Sequence, residues 1–175
     1  MARISNTAAY PNIGTPTVSD YLILTDADND LVTKSCTLGN IQSLFGIDTL
    51  VAKVTVSNAE LLALNTTSKV LIAAPGAGKV IDIISISQYL EAGNTQYNFG
   101  NNLEVKIGAT AFGSLSSQSA NFATDLVSKI ETGATTKVIE QNTAVTLETA
   151  ANPSQGTGVM YFNIFYRVLT VGSSF

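Results

Sequence analysis

Val159-Met-Tyr-Phe-Asn-Ile-Phe-Tyr-Arg-Val-Leu-Thr-Val171 decides how the chain is read, because its side chains separate into two sets under a two-residue period. Met160, Phe162, Ile164, Tyr166 and Val168 form one set, apolar apart from a single phenol, and are assigned to a core. Val159, Tyr161, Asn163, Phe165, Arg167 and Leu169 form the other. That second face is too rich in aromatics to be turned to water alone. Tyr161 and Phe165 are therefore expected to meet either a second subunit or the N-terminal part of the chain.

Upstream lies a second long β-branched run, Val80-Ile-Asp-Ile-Ile-Ser-Ile-Ser-Gln-Tyr-Leu90. Shorter strand candidates are residues 51–56, 69–74, 103–107 and 143–149, with a weaker one at 136–140. Ser57-Asn-Ala-Glu60 has the S-x-x-E spacing of a capping box and predicts a short helix over 57–64. Pro75-Gly-Ala-Gly78 is a turn. In residues 116–130, Phe122, Leu126, Val127 and Ile130 sit at helical spacing behind several serines, which predicts a short helix or an ordered loop. About seven strands with no long helix between them disfavour a doubly wound parallel sheet. The predicted fold is mainly β: an antiparallel, jelly-roll-like β-sandwich over residues 51–175.

Residues 1–50 read as a separate module. After an irregular start punctuated by Pro11, Gly14 and Pro16, Tyr21-Leu-Ile-Leu-Thr25 and Leu31-Val-Thr-Lys-Ser-Cys36 form a hairpin around Asp26-Ala-Asp-Asn-Asp30. Thr37 caps a helix over 38–45 that places Leu38, Ile41, Leu44 and Phe45 on one face and stops at Gly46. One hairpin and two helical turns bury too little to stand alone, so the module is expected to dock on a neighbouring subunit or on the main domain.

Composition narrows the function. Charged residues make up 13% of the chain, against ~25% in average soluble proteins, so its polar surface is mostly uncharged and well suited to burial against a partner. The net charge is −4 and the lysines are scattered, so no row of cations is available for phosphates and no nucleic-acid partner is expected. The chain has no histidine and one cysteine, Cys36, which removes His-based catalytic arrangements, zinc-thiolate sites and an intrachain disulfide together. No catalytic residue, metal site or cofactor is assigned. No apolar run is long enough for a signal peptide or a membrane span, so no membrane partner is expected.

Two motifs were weighed for ligand chemistry. Ala74-Pro-Gly-Ala-Gly-Lys-Val80 lacks the first glycine and the Ser/Thr of a phosphate loop and leads into a strand, so it is a turn. Asp26-Ala-Asp-Asn-Asp30 opens like a calcium loop, but Leu31 replaces the required glycine and Thr37 the bidentate glutamate, which leaves an Asp-rich hairpin tip. For outward recognition the best candidate is the Gly/Asn-rich loop over 91–102 with Tyr89, Tyr97 and Phe99 about it, its alternative being a plain polar turn.

Thr15-Pro-Thr-Val-Ser-Asp-Tyr-Leu-Ile-Leu-Thr-Asp-Ala-Asp-Asn-Asp-Leu-Val-Thr-Lys34, followed by Thr37-Leu-Gly-Asn-Ile41, resembles a hairpin module found near the N-termini of tailed-bacteriophage fibre and head-fibre proteins. Val54-Thr-Val-Ser-Asn-Ala-Glu-Leu-Leu-Ala-Leu-Asn65, with Leu71-Ile-Ala-Ala-Pro-Gly-Ala-Gly-Lys-Val-Ile81, is similar to a β-sandwich domain recurrent in phage virion proteins. The resemblance implies a non-enzymatic virion component of head-fibre, capsid-decoration or tail-associated type, made in the host cytoplasm and carried on the capsid or tail surface. It implies a homotrimer whose N-terminal region, through Ile13, Tyr21, Leu22, Leu24, Ile41, Leu44 and Phe45, attaches to major capsid or tail proteins, with Tyr161 and Phe165 at the subunit contact. The second reading is an adhesin module binding a receptor or glycan on a host surface through the 91–102 loop.

Overall fold

Alternating sequence resolves into strands wherever the chain is described, which in this computed structural model covers residues 17, 19–25, 33–44, 49–130 and 140–172. The chain divides into two units, Met1–Asp48 and Thr49–Phe175.

In the first unit, β1 (Tyr21–Thr25) pairs antiparallel with β2 (Thr33–Thr37), Tyr21 facing Thr37 and Thr25 facing Thr33. Leu31 and Val32 of the predicted second strand lie outside the described residues, as does the Asp26 to Asp30 tip. Helix α1 (Leu38–Leu44) follows directly. Thr37 starts it as expected: its Oγ1 accepts from the Asn40 backbone N–H at 3.1 Å, satisfying one of the amides that a helix start leaves free.

The second unit holds β3 (Leu50–Val56), α2 (Asn58–Leu61), β4 (Lys69–Ile72), β5 (Lys79–Glu91), β6 (Leu103–Ile107), β7 (Thr110–Leu115), α3 (Ser117–Ala120), β8 (Leu126–Ile130), β9 (Val145–Thr149) and β10 (Val159–Thr170). These eight strands form two antiparallel four-stranded sheets, ordered β3-β10-β5-β8 and β4-β9-β6-β7. The architecture is the expected antiparallel β-sandwich. Its core joins Ile86, Leu90, Met160, Phe162 and Ile164 of one sheet to Leu71, Leu103, Val105, Val145 and Leu147 of the other. The capping box at Ser57 forms in both directions: Glu60 Oε2 accepts from the Ser57 backbone N–H at 2.8 Å, and Ser57 Oγ accepts from the Glu60 N–H.

The alternation read from β10 holds for its first half. Met160, Phe162 and Ile164 are buried. Between Phe165 and Tyr166 the register with β5 shifts at a bulge, which leaves Ile84 unpaired. Beyond it Tyr166 and Val168 are only half-buried, while Leu169, assigned to the outer set, is buried opposite Val80. A bulge increases local twist, so the end of a long strand leaves the plane that its first half defines.

Residues 116–130 need a correction. The short helix is there as α3, capped by Ser116, but Leu126, Val127 and Ile130 belong to β8, paired with β5. Pairing to a long central strand outweighs a local helical spacing in so short a segment. Strand β7 was not anticipated, because Gly113 interrupts its apolar run; it sits where β7 pairs with Val105, beside a register shift. The weak 136–140 candidate lies outside the described residues except for Glu140.

Candidate functional site

The inner side of the β3-β10-β5-β8 sheet is core, so alternation sends the intervening residues to its outer face. Register fixes them in rows. One row runs Thr55, Tyr161, Tyr89, Val127; the next runs Lys53, Asn163, Ser87, Lys129; the third runs Val51, Phe165, Ser85. At the bulge Ile83 and Ile86 both turn inward, so Ile84 joins Ser85 on the exposed side. The face is thus polar and aromatic at one end and apolar at the other, where Val51 and Ile84 are exposed and Phe165 is half-buried.

The aromatic end is held in place. Tyr89 and Tyr161 stack with ring centroids 5.9 Å apart and planes 22° from parallel. Tyr89 donates its hydroxyl hydrogen to Asp125 Oδ2 at 2.8 Å, and Tyr161 donates to Glu91 Oε2 at 2.8 Å. Each phenol is harder to ionise than usual, chiefly because of the hydrogen bond to its carboxylate; the Asp125 carboxyl is correspondingly more acidic, held by Tyr89 and then by the Ala92 backbone N–H. Beside this pair lies a concave cavity of about 330 Å³ whose lining includes Lys53, Thr55, Ser87, Tyr89, Val127, Tyr161 and Asn163. Asn163 Oδ1 is buried there without a hydrogen-bond donor among the described residues. Past the apolar end, Arg167 donates from Nε and Nη2 to Asp82 Oδ2, at 3.2 and 2.6 Å.

The structure thus brings Tyr89, Tyr161 and Phe165 onto one surface, although Tyr89 had been grouped with a loop. The outward-recognition reading of that loop is corrected for the other two aromatics. Tyr97 and Phe99 are 4% and 3% exposed, so neither ring is available at the surface. Tyr97 donates its hydroxyl hydrogen towards Asn58 Oδ1 and the Gly158 carbonyl, 2.8 and 2.6 Å away, and burial pushes its pKa up to about 12. Asn98, Thr95 and Asn121 tie the 91–102 segment to its neighbours: Asn98 Oδ1 accepts from the Ser154 N–H at 2.9 Å, Thr95 N–H donates to Thr157 Oγ1 at 2.9 Å, and Asn121 Oδ1 accepts from the Phe99 N–H at 2.7 Å. The Gly/Asn-rich loop is a clasp, and its aromatics plug the end of the core.

Of the candidate attachment residues, Tyr21 and Leu22 of β1 are exposed, as is Ile23 between Leu22 and Leu24, while Ile41 of α1 is half-buried. Leu24 and Leu44 occupy β1 and α1, and Ile13 and Phe45 lie outside the described residues. The residues that sequence reasoning missed are Lys53, Ser87, Asn163 and Val127. Only the pairing order of the strands brings them together, which no local pattern reports.

Among the described residues no cluster of three His, Cys, Asp or Glu side chains is placed to hold a metal, and no helix is long and apolar enough to cross a membrane. No protein-family model and no curated protein matches the chain. Chains of solved structures align with it. The chain is similar to one in "Cyanophage Pam1 capsid asymmetric unit", at 18% identity and a TM-score of 0.45, over 68% of this chain and 83% of that one. It is also similar to one in "Capsid of Ralstonia phage GP4", at 13% identity and a TM-score of 0.38, over 68% of this chain and 82% of that one.

Proposed function

We propose that this chain is a non-enzymatic structural component of a tailed-phage virion, anchored to a capsid or tail protein by its first unit and associating with its own copies through the sandwich. The observation that carries the reading is the exposure of three consecutive residues of β1: Tyr21 at 69%, Leu22 at 42% and Ile23 at 78%. Successive residues of a strand point to opposite sides, so both faces of this hairpin present apolar side chains. A two-stranded hairpin is marginal alone in water, and a surface of this kind gains most by being covered.

The sheet order supports the same reading. Numbered within the sandwich, the strands run 1-8-3-6 and 2-7-4-5, the double Greek-key order of a jelly roll, an architecture used in viral capsids and in lectins. Function does not follow from fold, so the surfaces carry the weight. Copies pack through the apolar end of the outer face, Val51, Ile84 and Phe165, with Tyr161 two rows away, beyond Lys53 and Asn163.

Removing residues 1–48 tests the anchoring. The sandwich should remain folded by circular dichroism but no longer copurify with particles assembled without the native protein; unchanged incorporation overturns the assignment. Light scattering tests association, with three times 18.3 kDa expected for a trimer. A monomer at all concentrations removes the self-contact from the proposal.

A further inference from the structure

We infer that the polar end of the outer face of the β3-β10-β5-β8 sheet is a binding site for an acidic saccharide. Four observations converge on sugar rings bearing carboxylates. The cavity is concave, and at about 330 Å³ it accepts one or two rings. One side is the Tyr89–Tyr161 stack, whose orientation is fixed by hydrogen bonds to Asp125 and Glu91, so a rigid aromatic surface for the C–H faces of a pyranose exists before any ligand arrives.

The polar row beneath the rings supplies the complementary groups. Asn163 lines the cavity, and its Oδ1 is a buried acceptor with no donor among the described residues, so a turn of the amide that offered it to a ligand hydroxyl would satisfy it. Lys53, its direct cross-strand neighbour, has no ion-pair or hydrogen-bond partner among the described residues, and the same holds for Lys129 at the other end of the row. On the opposite sheet the lysines are paired: Lys69 with Glu60, and Lys106 with Glu104 and Glu148. Ser87 stands between Asn163 and Lys129 and adds a hydroxyl that can donate or accept.

Charge orients the ligand. Glu91 and Asp125 sit at the hydroxyl ends of the two rings, while Lys53, which lines the cavity, is one step along the strands. A sugar carboxylate is repelled at the first edge and held at the second, so acid and hydroxyls have distinct places. The site leaves the apolar end of the face for contacts between copies, and it uses no residue of the hairpin. Its failure would therefore leave the anchoring role untouched.

The test uses the full chain and two probes, tetragalacturonic acid and its methyl ester, which keeps the rings and removes the charge. Calorimetry should show binding of the acid and a loss of about tenfold or more for the ester, the size expected when a charge-assisted hydrogen bond is removed. With no tryptophan present, tyrosine fluorescence should respond to the same titration. Lys53→Gln and Asn163→Ala should each weaken binding by about tenfold with unchanged melting, while Lys106→Gln on the other sheet should not. Equal affinity for acid and ester overturns the proposal, as does undiminished binding in the Lys53→Gln, Asn163→Ala double variant. If tetragalacturonate does not bind, a panel of sialylated, uronate and sulfated oligosaccharides decides the class, and no binding across that panel overturns it as well.

Discussion

The two outer faces of the sandwich arise from the same alternation, yet they are finished differently. On the β4-β9-β6-β7 sheet the outward residues include Glu104, Lys106, Thr146 and Glu148, with Lys106 Nζ 3.0 Å from Glu148 and 3.5 Å from Glu104. Its two carboxylates share one ammonium group. On the β3-β10-β5-β8 sheet the outward residues include, beside Thr55, Asn163, Ser85 and Ser87, the apolar and aromatic Tyr161, Phe165, Tyr89, Val51, Ile84 and Val127, the last 70% exposed, and two lysines stand without partners among the described residues. A sheet with one solvated face normally alternates apolar with polar residues, as the first does. The second departs from that pattern on its outer side, and a contact surface explains the departure. What separates the two faces is how much of their chemistry is already satisfied.

The largest effect should appear across the thickness of one strand. Phe162 and Phe165 lie three residues apart on β10, one buried in the core and the other half-buried on the outer face. Phe162→Ala should lower stability by about 3–5 kcal/mol, since it leaves a cavity among close-packed neighbours. Phe165→Ser should cost about 1 kcal/mol or less and instead lower the oligomer mass. Urea unfolding paired with light scattering reads both quantities. If Phe165→Ser unfolds the monomer as severely as Phe162→Ala, the outer face is a second core and not a contact surface.

A smaller effect sharpens the distinction between exposed and plugged tyrosines. Gly156 has φ +139°, and a Cβ there would stand 2.0 Å from Cδ1 of Tyr97. Gly156→Ala must strain the backbone and displace a buried ring, so a loss of about 1–3 kcal/mol is expected, with the Tyr89–Tyr161 pair undisturbed. Thermal melting gives the loss. Saccharide binding by the same variant should be retained, because Tyr97 belongs to the clasp and not to the face.

Much of this was legible before any coordinates. The capping box at Ser57, the Thr37 cap, the long final strand and its core set Met160, Phe162 and Ile164 follow from short-range rules that tertiary structure left intact. β8 and β7 were not legible, because Leu126 to Ile130 and Thr110 to Leu115 owe their conformation to partners distant in sequence. The same reason governs the site. Tyr161 and Phe165 could be named because one strand holds both, whereas Tyr89, Lys53 and Ser87 join them only through pairings across three strands. Tyr97 was misplaced because a Gly/Asn-rich loop is ordinarily exposed; here its amides serve loop-to-loop hydrogen bonds that pull the ring inside.

Acid should reach the Glu60 capping box late. Glu60 has its pKa lowered from 4.5 to about 2, foremost by the hydrogen bond from Lys69 and then by the Ser57 backbone N–H. A depressed carboxyl contributes stability that is present above its unfolded value and lost as pH falls through the folded one, so the window runs from about 4.5 down to about 2. Glu60→Gln should therefore flatten the stability profile between those values, lowering stability at neutral pH, where the charged carboxylate contributes, and changing it little near the acid end of the window. Chemical unfolding at stepped pH measures this, and an unchanged acid slope would mean that the capping box contributes no pH dependence.

The smallest change probes the balance of the charged face itself. Glu104 and Glu148 are directly opposite on β6 and β9, an arrangement that destabilises when uncompensated, and Lys106 lies beside both. Its ammonium is held protonated above the usual range, first by the hydrogen bond to Glu148. Lys106→Ala removes the shared cation and leaves two like charges facing each other, at a cost of about 0.2–1 kcal/mol that added salt should reduce. Lys53→Ala, on the opposite sheet, removes a cation that neutralises nothing among the described residues and should leave stability unchanged at any salt concentration. Equal, salt-sensitive losses from both would erase the distinction between a face whose charges are spent on each other and one whose charges await a ligand.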